Sequence, residues 1–264
     1  MDETTMRRVR VIPVLLLHQE GLYKTVQFSK PAYIGDPVNA VKIFNEKEVD
    51  EILVLDIHAS RQGKAPDYAK LEEIAGEAFM PMGYGGGIRT LADIRRTIFS
   101  GYEKVVLNTA AAQQPSLVKE GSALVGAQSI VVCIDYKKNW LGRPRVYSHG
   151  GTQDAGKHPL DFAREMEDQG AGEVILQSIA RDGTFTGFDL EMIHEVSSAV
   201  HIPLVACGGA SSIEDFVLAV QAGASAVAAG SVFVYRSAMR GVLLNYPSAE
   251  ELKNKFYSKV SIAS

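Results

Sequence analysis

The sequence predicts a (β/α)8 barrel, and three observations carry that prediction. Short apolar runs rich in Val, Ile and Leu recur eight times along the 264 residues, amphipathic helical patterns alternate with them, and the first half of the chain repeats in the second. Runs too short for helices and apolar on both faces read as strands of a parallel sheet. Strands alternating with helices are βαβ units, and eight of them favour a closed barrel over an open doubly wound sheet. The length suits one such barrel, expected as a single domain over residues 1–264.

Taken in order, the predicted strands lie at 11–17, 51–57, 79–83, 104–107, 129–134, 173–178, 203–206 and 226–229. Helical periodicity fills 36–48, 67–78, 90–100, 158–169, 189–199 and 212–222. The longest irregular stretch, "NWLGRPRVYSHGGTQDAGK" at 139–157, is Gly-rich and is expected to form a hairpin or a mobile lid.

An apolar content of 46%, a charged content of 22% and a net charge of −4 describe an ordinary globular chain. That charge argues against nucleic acid or an anionic membrane as a partner. No apolar run is long enough to span a bilayer, and "MDETTMRRVR" does not read as a secretory signal, so a cytoplasmic protein is expected. Cys133 and Cys207 sit in apolar runs and read as free core thiols. No metal-ligand spacing occurs, and no metal or cofactor is expected.

The repeat is gapless. "PMGYGGGIRTLADIRRTIFSGYEKVVLNTA" at 81–110 aligns with "PLVACGGASSIEDFVLAVQAGASAVAAGSV" at 203–232, an offset of 203 − 81 = 122. It pairs Pro81 with Pro203, Gly86–Gly87 with Gly208–Gly209, Asp93 with Asp215 and Gly101 with Gly223. Upstream, "DEILVLDI" at 50–57 falls on "GEVILQSI" at 172–179. Two half-barrels, roughly 8–128 and 129–250, follow from this.

Active sites of such barrels lie at the C-terminal ends of the strands. Glycine pairs there let the backbone approach a phosphate. The first half offers Gly86, Gly87, Asn108 and Thr109, and the second offers Gly208, Gly209, Gly230 and Ser231 at matching positions. Two such sites across one mouth imply a phosphorylated small molecule with a phosphate at each end. Between them, proton transfer needs acid–base groups. Asp56, Asp135 and Asp182 stand at strand ends; Asp135, ending an apolar strand, is the best placed, while Asp182 in "RDGT" reads better as a loop-ordering group. His58 in "DIHAS" falls near the same mouth. On the opposite face, Arg10, Glu51, Lys104 and Glu173 each stand where a strand begins, so a salt-bridged ring across the barrel floor is expected.

These residues resemble the cyclase subunit of imidazole glycerol phosphate synthase over nearly the whole chain. The resemblance is carried by "GDPV" (35–38), "DEILVLDI" (50–57), "YGGGIR" (84–89), "KVVLNTAA" (104–111), "VVCIDYK" (131–137), "GAGEVILQSIARDGT" (170–184) and "ACGGA" (206–210). It implies a (β/α)8 barrel that pairs with a glutaminase subunit on its N-terminal face. It also implies that ammonia crosses the barrel to a ribonucleotide bearing two phosphates. On that resemblance the ammonia gate falls on Arg10, Glu51, Lys104 and Glu173. The phosphate positions fall on Gly87, Asn108, Thr109, Asp182, Gly183, Gly209 and Ser231, a mobile-loop lysine on Lys24, and one of two catalytic aspartates on Asp135.

The second catalytic aspartate is missing. In "VIPVLLLHQE" its position is Leu16, and the corresponding strand of the second half, "SIVVCIDYKK" (129–138), sets Asp135 against Leu16 at an offset of 135 − 16 = 119, three residues short of the repeat's 122. The family's "DRDGT" is also "ARDGT" here, with Ala180 replacing an acid. Loss of one of two cooperating acid–base groups costs roughly 10²–10⁴-fold in rate. A retained gate beside damaged cyclase chemistry resembles a divergent branch of the family associated with surface-polysaccharide genes. There the barrel and its glutaminase supply ammonia to a third enzyme, a sugar amidotransferase. A working cyclase, in which Asp135 suffices or His18 or His58 stands in for the missing acid, and a non-catalytic scaffold that activates a glutaminase are the alternatives.

Overall fold

The computed structural model describes residues 8–236 and 241–260. Eight parallel strands close on themselves: β1 Arg10–His18, β2 Ile52–Asp56, β3 Met82–Gly85, β4 Lys104–Leu107, β5 Ile130–Lys138, β6 Glu173–Ser178, β7 Leu204–Cys207 and β8 Ala226–Ala229. The ring is completed where β8 meets β1, with Arg10 opposite Ala226 and Pro13 opposite Ala229. The predicted (β/α)8 barrel is what forms.

Alternation along the strands sorts the apolar residues into two cores. Ile12, Val14, Leu53, Val106, Val131, Cys133, Ile175, Val205 and Cys207 fill the barrel, with Leu16 and Leu55 packed on top. Val11, Leu15, Leu17, Val54, Val105 and their neighbours face outward onto the helices. Near-continuous apolar strands are the signature of burial on both faces.

Among the described residues, eight helices of seven or more residues cover the barrel: α1 Pro37–Glu46, α2 Tyr68–Ala75, α3 Leu91–Phe99, α4 Ser116–Val125, α5 Pro159–Asp168, α6 Leu190–Ser197, α7 Ile213–Gln221 and α8 Ala249–Lys255. The repeat is visible in their starts. α3 and α7 each open on a capping box, Thr90 with Asp93 and Ser212 with Asp215, satisfying amide donors the first turn leaves free.

Three departures from the sequence reading have physical causes. The third strand is Met82–Gly85 rather than 79–83, and Phe79 is 92% exposed. Gly83 and Gly85 hide the strand from a propensity argument, yet both are required. A Cβ on Gly83 would come within 2.6 Å of Leu53, and one on Gly85 within 2.9 Å of the Val106 carbonyl. The helix α4 was not anticipated; its Gly121 weakens the pattern and makes room for Ile94. Third, β1 is followed by an unforeseen hairpin, Gly21–Val26 with Ser29–Gly35. The 139–157 stretch is also a hairpin: β5 pairs antiparallel with Pro144–Ser148, and Trp140 at its turn is 89% exposed.

Candidate active site

The strand starts bring four charges together on the N-terminal face. Arg10 bonds to both Glu51 and Glu173. The Lys104 ammonium lies 3.0 Å from Glu51 and 2.8 Å from Glu173. Both glutamates are buried. Burial works against the charge of Arg10, but the two carboxylates outweigh it and hold its pKa above the ordinary arginine value. The ring sits directly beneath the apolar barrel interior, because residues two apart on a strand share a face.

At the other end is a cavity of about 370 Å3. Asp135 and all eleven residues expected around it line this cavity: Lys24, Asp56, Gly87, Asn108, Thr109, Asp182, Gly183, Gly208, Gly209, Gly230 and Ser231. The two glycine pairs have left-handed backbones, φ +128° and +72° at Gly86 and Gly87, +92° and +111° at Gly208 and Gly209. A Cβ on Gly209 would stand 2.2 Å from the Gly187 carbonyl oxygen. Ser231 is buried and its hydroxyl has no hydrogen-bond partner among the described residues, which leaves it free for a ligand oxygen.

The acids differ in their surroundings. Asp135 is buried, and among the described residues its carboxylate accepts only a 3.3 Å bond from the Cys133 thiol. Burial pushes its pKa up to about 7; the thiol contact opposes this and the charge of Asp182 adds to it. A group titrating there can give or take a proton at neutral pH. Asp56 is committed differently. One oxygen accepts the His58 and Ala59 amides, each at 2.9 Å, and so starts the short helix Ala59–Gln62. Asp182 is bonded to Lys24 at 3.0 Å and to the Thr25 hydroxyl at 3.1 Å. That arrangement ties the first hairpin to the loop after β6, as the loop-ordering reading expects.

Leu16 and Asp135 occupy equivalent places. Each faces the cavity near the end of its strand, and each pairs with a tyrosine of the following hairpin, Leu16 with Tyr23 and Asp135 with Tyr147. Leu16 is thus an apolar group where the pseudo-twofold would place a second acid. His18 and His58 stack at the rim with ring centroids 4.0 Å apart. Burial, then the neighbouring His18, lowers the pKa of His58. Ala180 is exposed, and its carbonyl accepts from the Gln27 side chain.

Among the lining residues that sequence reasoning missed are Gln177, Thr25 and Arg61. Gln177 is buried and faces the cavity from β6; the repeat places it on Leu55, 177 − 55 = 122, so the offset could have found it. Thr25 and Arg61 carry no motif.

Residues 10–239 match the family described as histidine biosynthesis protein. The chain belongs to the histidine biosynthesis protein family. Within it, the chain is 48% identical over 248 residues to a Pseudomonas aeruginosa protein provisionally named imidazole glycerol phosphate synthase subunit hisF2, covering 94% of this chain and 99% of that one. A similarly named Leptospira borgpetersenii protein is 46% identical over 253 residues, 95% and 100% of the two chains. Imidazole glycerol phosphate synthase subunit HisF of Halalkalibacterium halodurans is 42% identical over 229 residues, 86% and 91%. The family match spans both ends of the barrel, from Arg10 in the charged ring to Ser231 at the mouth.

Proposed function

We propose that this barrel is a cyclase-subunit-like component of a glutamine-dependent enzyme. It docks a glutaminase on its N-terminal face and passes ammonia to a reaction at or beyond the C-terminal mouth. The reading takes that reaction to be amidination of a nucleotide-linked sugar by a third protein, an amidotransferase, with the chain's own cyclase chemistry weakened by Leu16. The single observation that carries it is the pairing of an intact four-charge ring with an apolar residue at the second acid position.

Other features support it. Phe79 and Phe99 are 92% and 77% exposed. Phe79 precedes β3 and Phe99 ends α3, so both belong to the N-terminal face, where exposed aromatics suit a protein partner. The apolar barrel interior favours neutral ammonia over ammonium. The provisionally named relatives share more sequence with this chain than the plainly named one.

The test is turnover of the histidine-pathway bisphosphate intermediate by the purified chain with excess ammonia and no partner. Free ammonia bypasses the barrel interior and isolates the mouth. The expected result is turnover at the limit of detection, rising 10²-fold or more in Leu16→Asp. Wild-type turnover that Asp135→Asn abolishes would favour the second reading, a working cyclase, to which the near-neutral Asp135 lends weight.

A further inference from the structure

The charged side chains lining the cavity are Lys24, Lys30, Asp56, Arg61, Asp135 and Asp182. Most are already matched. Lys24 is neutralised by Asp182 at 3.0 Å. Asp56 caps a short helix through its neighbours' amides. Asp135 is held partly protonated near neutrality by burial. Lys30, which like Arg61 is exposed and has no carboxylate partner among the described residues, stands on the first hairpin, the one that covers the second-half site. Arg61 remains, with no carboxylate partner among the described residues. Its guanidinium donates to the carbonyls of His149, at 2.9 Å, and Gly150.

The pseudo-twofold gives this position a meaning. Each hairpin covers the phosphate position of the other half. The first brings Lys24 against Gly230, where a Cβ would meet the Lys24 Cε at 2.9 Å. The second brings Tyr147 and His149 over Asn108 and Thr109, through contacts of 3.4 and 3.0 Å. Tyr23 corresponds to Tyr147, so Lys24 corresponds to Ser148. At that position the second hairpin therefore carries no cation, and its Lys137 is held on the Gly151 carbonyl at 2.9 Å and over the Tyr147 ring, outside the cavity lining. Arg61 fills that place from another element. It is bonded to the carbonyl of the same His149 whose amide bonds the Thr109 hydroxyl. Its helix packs against Gly87, which would carry a Cβ 3.1 Å from Ala59.

We propose that Arg61 is the cation of the first-half anion site, closing the 149–151 loop in the free protein and turning its guanidinium onto a phosphate held by Gly87, Asn108 and Thr109. This rests on the reading of the mouth as a two-phosphate site. A guanidinium fork bonds phosphate oxygens in a bidentate, charge-assisted way that backbone carbonyls cannot equal.

Calorimetric titration of the full chain with ribulose 1,5-bisphosphate and with inorganic phosphate tests this, using Arg61→Gln and Arg61→Lys. Glutamine removes the charge and shortens the side chain, whereas lysine keeps a charge without the guanidinium fork. Bisphosphate affinity is expected to fall about tenfold in Arg61→Gln, with a weaker salt dependence, and to recover in part in Arg61→Lys. Equal bisphosphate affinity in wild type and Arg61→Gln would overturn the role of Arg61 while leaving the two-phosphate site standing. Failure of the wild type to bind either probe would overturn the two-phosphate reading, and this proposal with it.

Discussion

Asp135 and Leu16 are two answers to the same position. The carboxylate is buried with one weak thiol contact, so its charged form is disfavoured. Its pKa is raised to about 7 in the fold, against about 3.9 in an unfolded chain. Between those values the folded state holds a proton that the unfolded state lacks. Stability attributable to this residue therefore falls as pH rises from about 4 to about 7, and the cost is complete above that. Asp135→Asn should be more stable than wild type by about 2–4 kcal/mol at pH 8, and by much less at pH 4.5. Urea unfolding at the two values measures the difference. The Leu16–Asp135 correspondence was legible in the sequence because the two half-barrels open on apolar strands of the same character. The commitment of Asp56 was not. Whether a carboxylate turns into the cavity or back onto two amides depends on the path of the following loop, which no periodicity encodes.

Among elements, the strands were legible wherever apolar side chains mark them and obscure where the barrel needs space. Met82–Gly85 is half glycine because its neighbours' side chains occupy the room a Cβ would take. The glycine turns at the mouth are equally constrained. Gly209→Ala combines φ +111° with a 2.2 Å approach to the Gly187 carbonyl, and should destabilise the protein by about 2–4 kcal/mol. Gly142→Ala, at φ +75° with nothing within 4 Å, should cost only about 1 kcal/mol. Thermal melts of the two variants compare them directly. The hairpin after β1 escaped sequence reading for a different reason. Its turn places Gln27 and Phe28 at φ +50° and +60°, where glycine or asparagine would announce a turn.

For the whole molecule, the charged ring is the feature that depends on every part of the barrel. Its members come from four strand starts spread between Arg10 and Glu173, and closure of the sheet alone brings them together. Strand-start position was readable from the sequence; the bonding of each cation to both carboxylates was not. Glu51→Gln would leave Arg10 and Lys104 sharing one carboxylate beside the core. Removing one partner from a buried ionic network costs about 3 kcal/mol, and chemical denaturation should show that loss. On the proposed function, Lys104→Met should instead change the ratio of glutamine-driven to ammonia-driven activity in a complex with the proposed glutaminase, with free ammonia supporting the same rate as before. An unchanged ratio would make the ring a stability device only.

Trp140 is the chain's one tryptophan, and it stands in solvent at the tip of the second hairpin. Its emission should be red-shifted and open to iodide in the native state. Unfolding would alter it little, so the usual optical assay would report a protein that scarcely melts. The same indifference to the core makes it a clean beacon for anything that settles on the mouth.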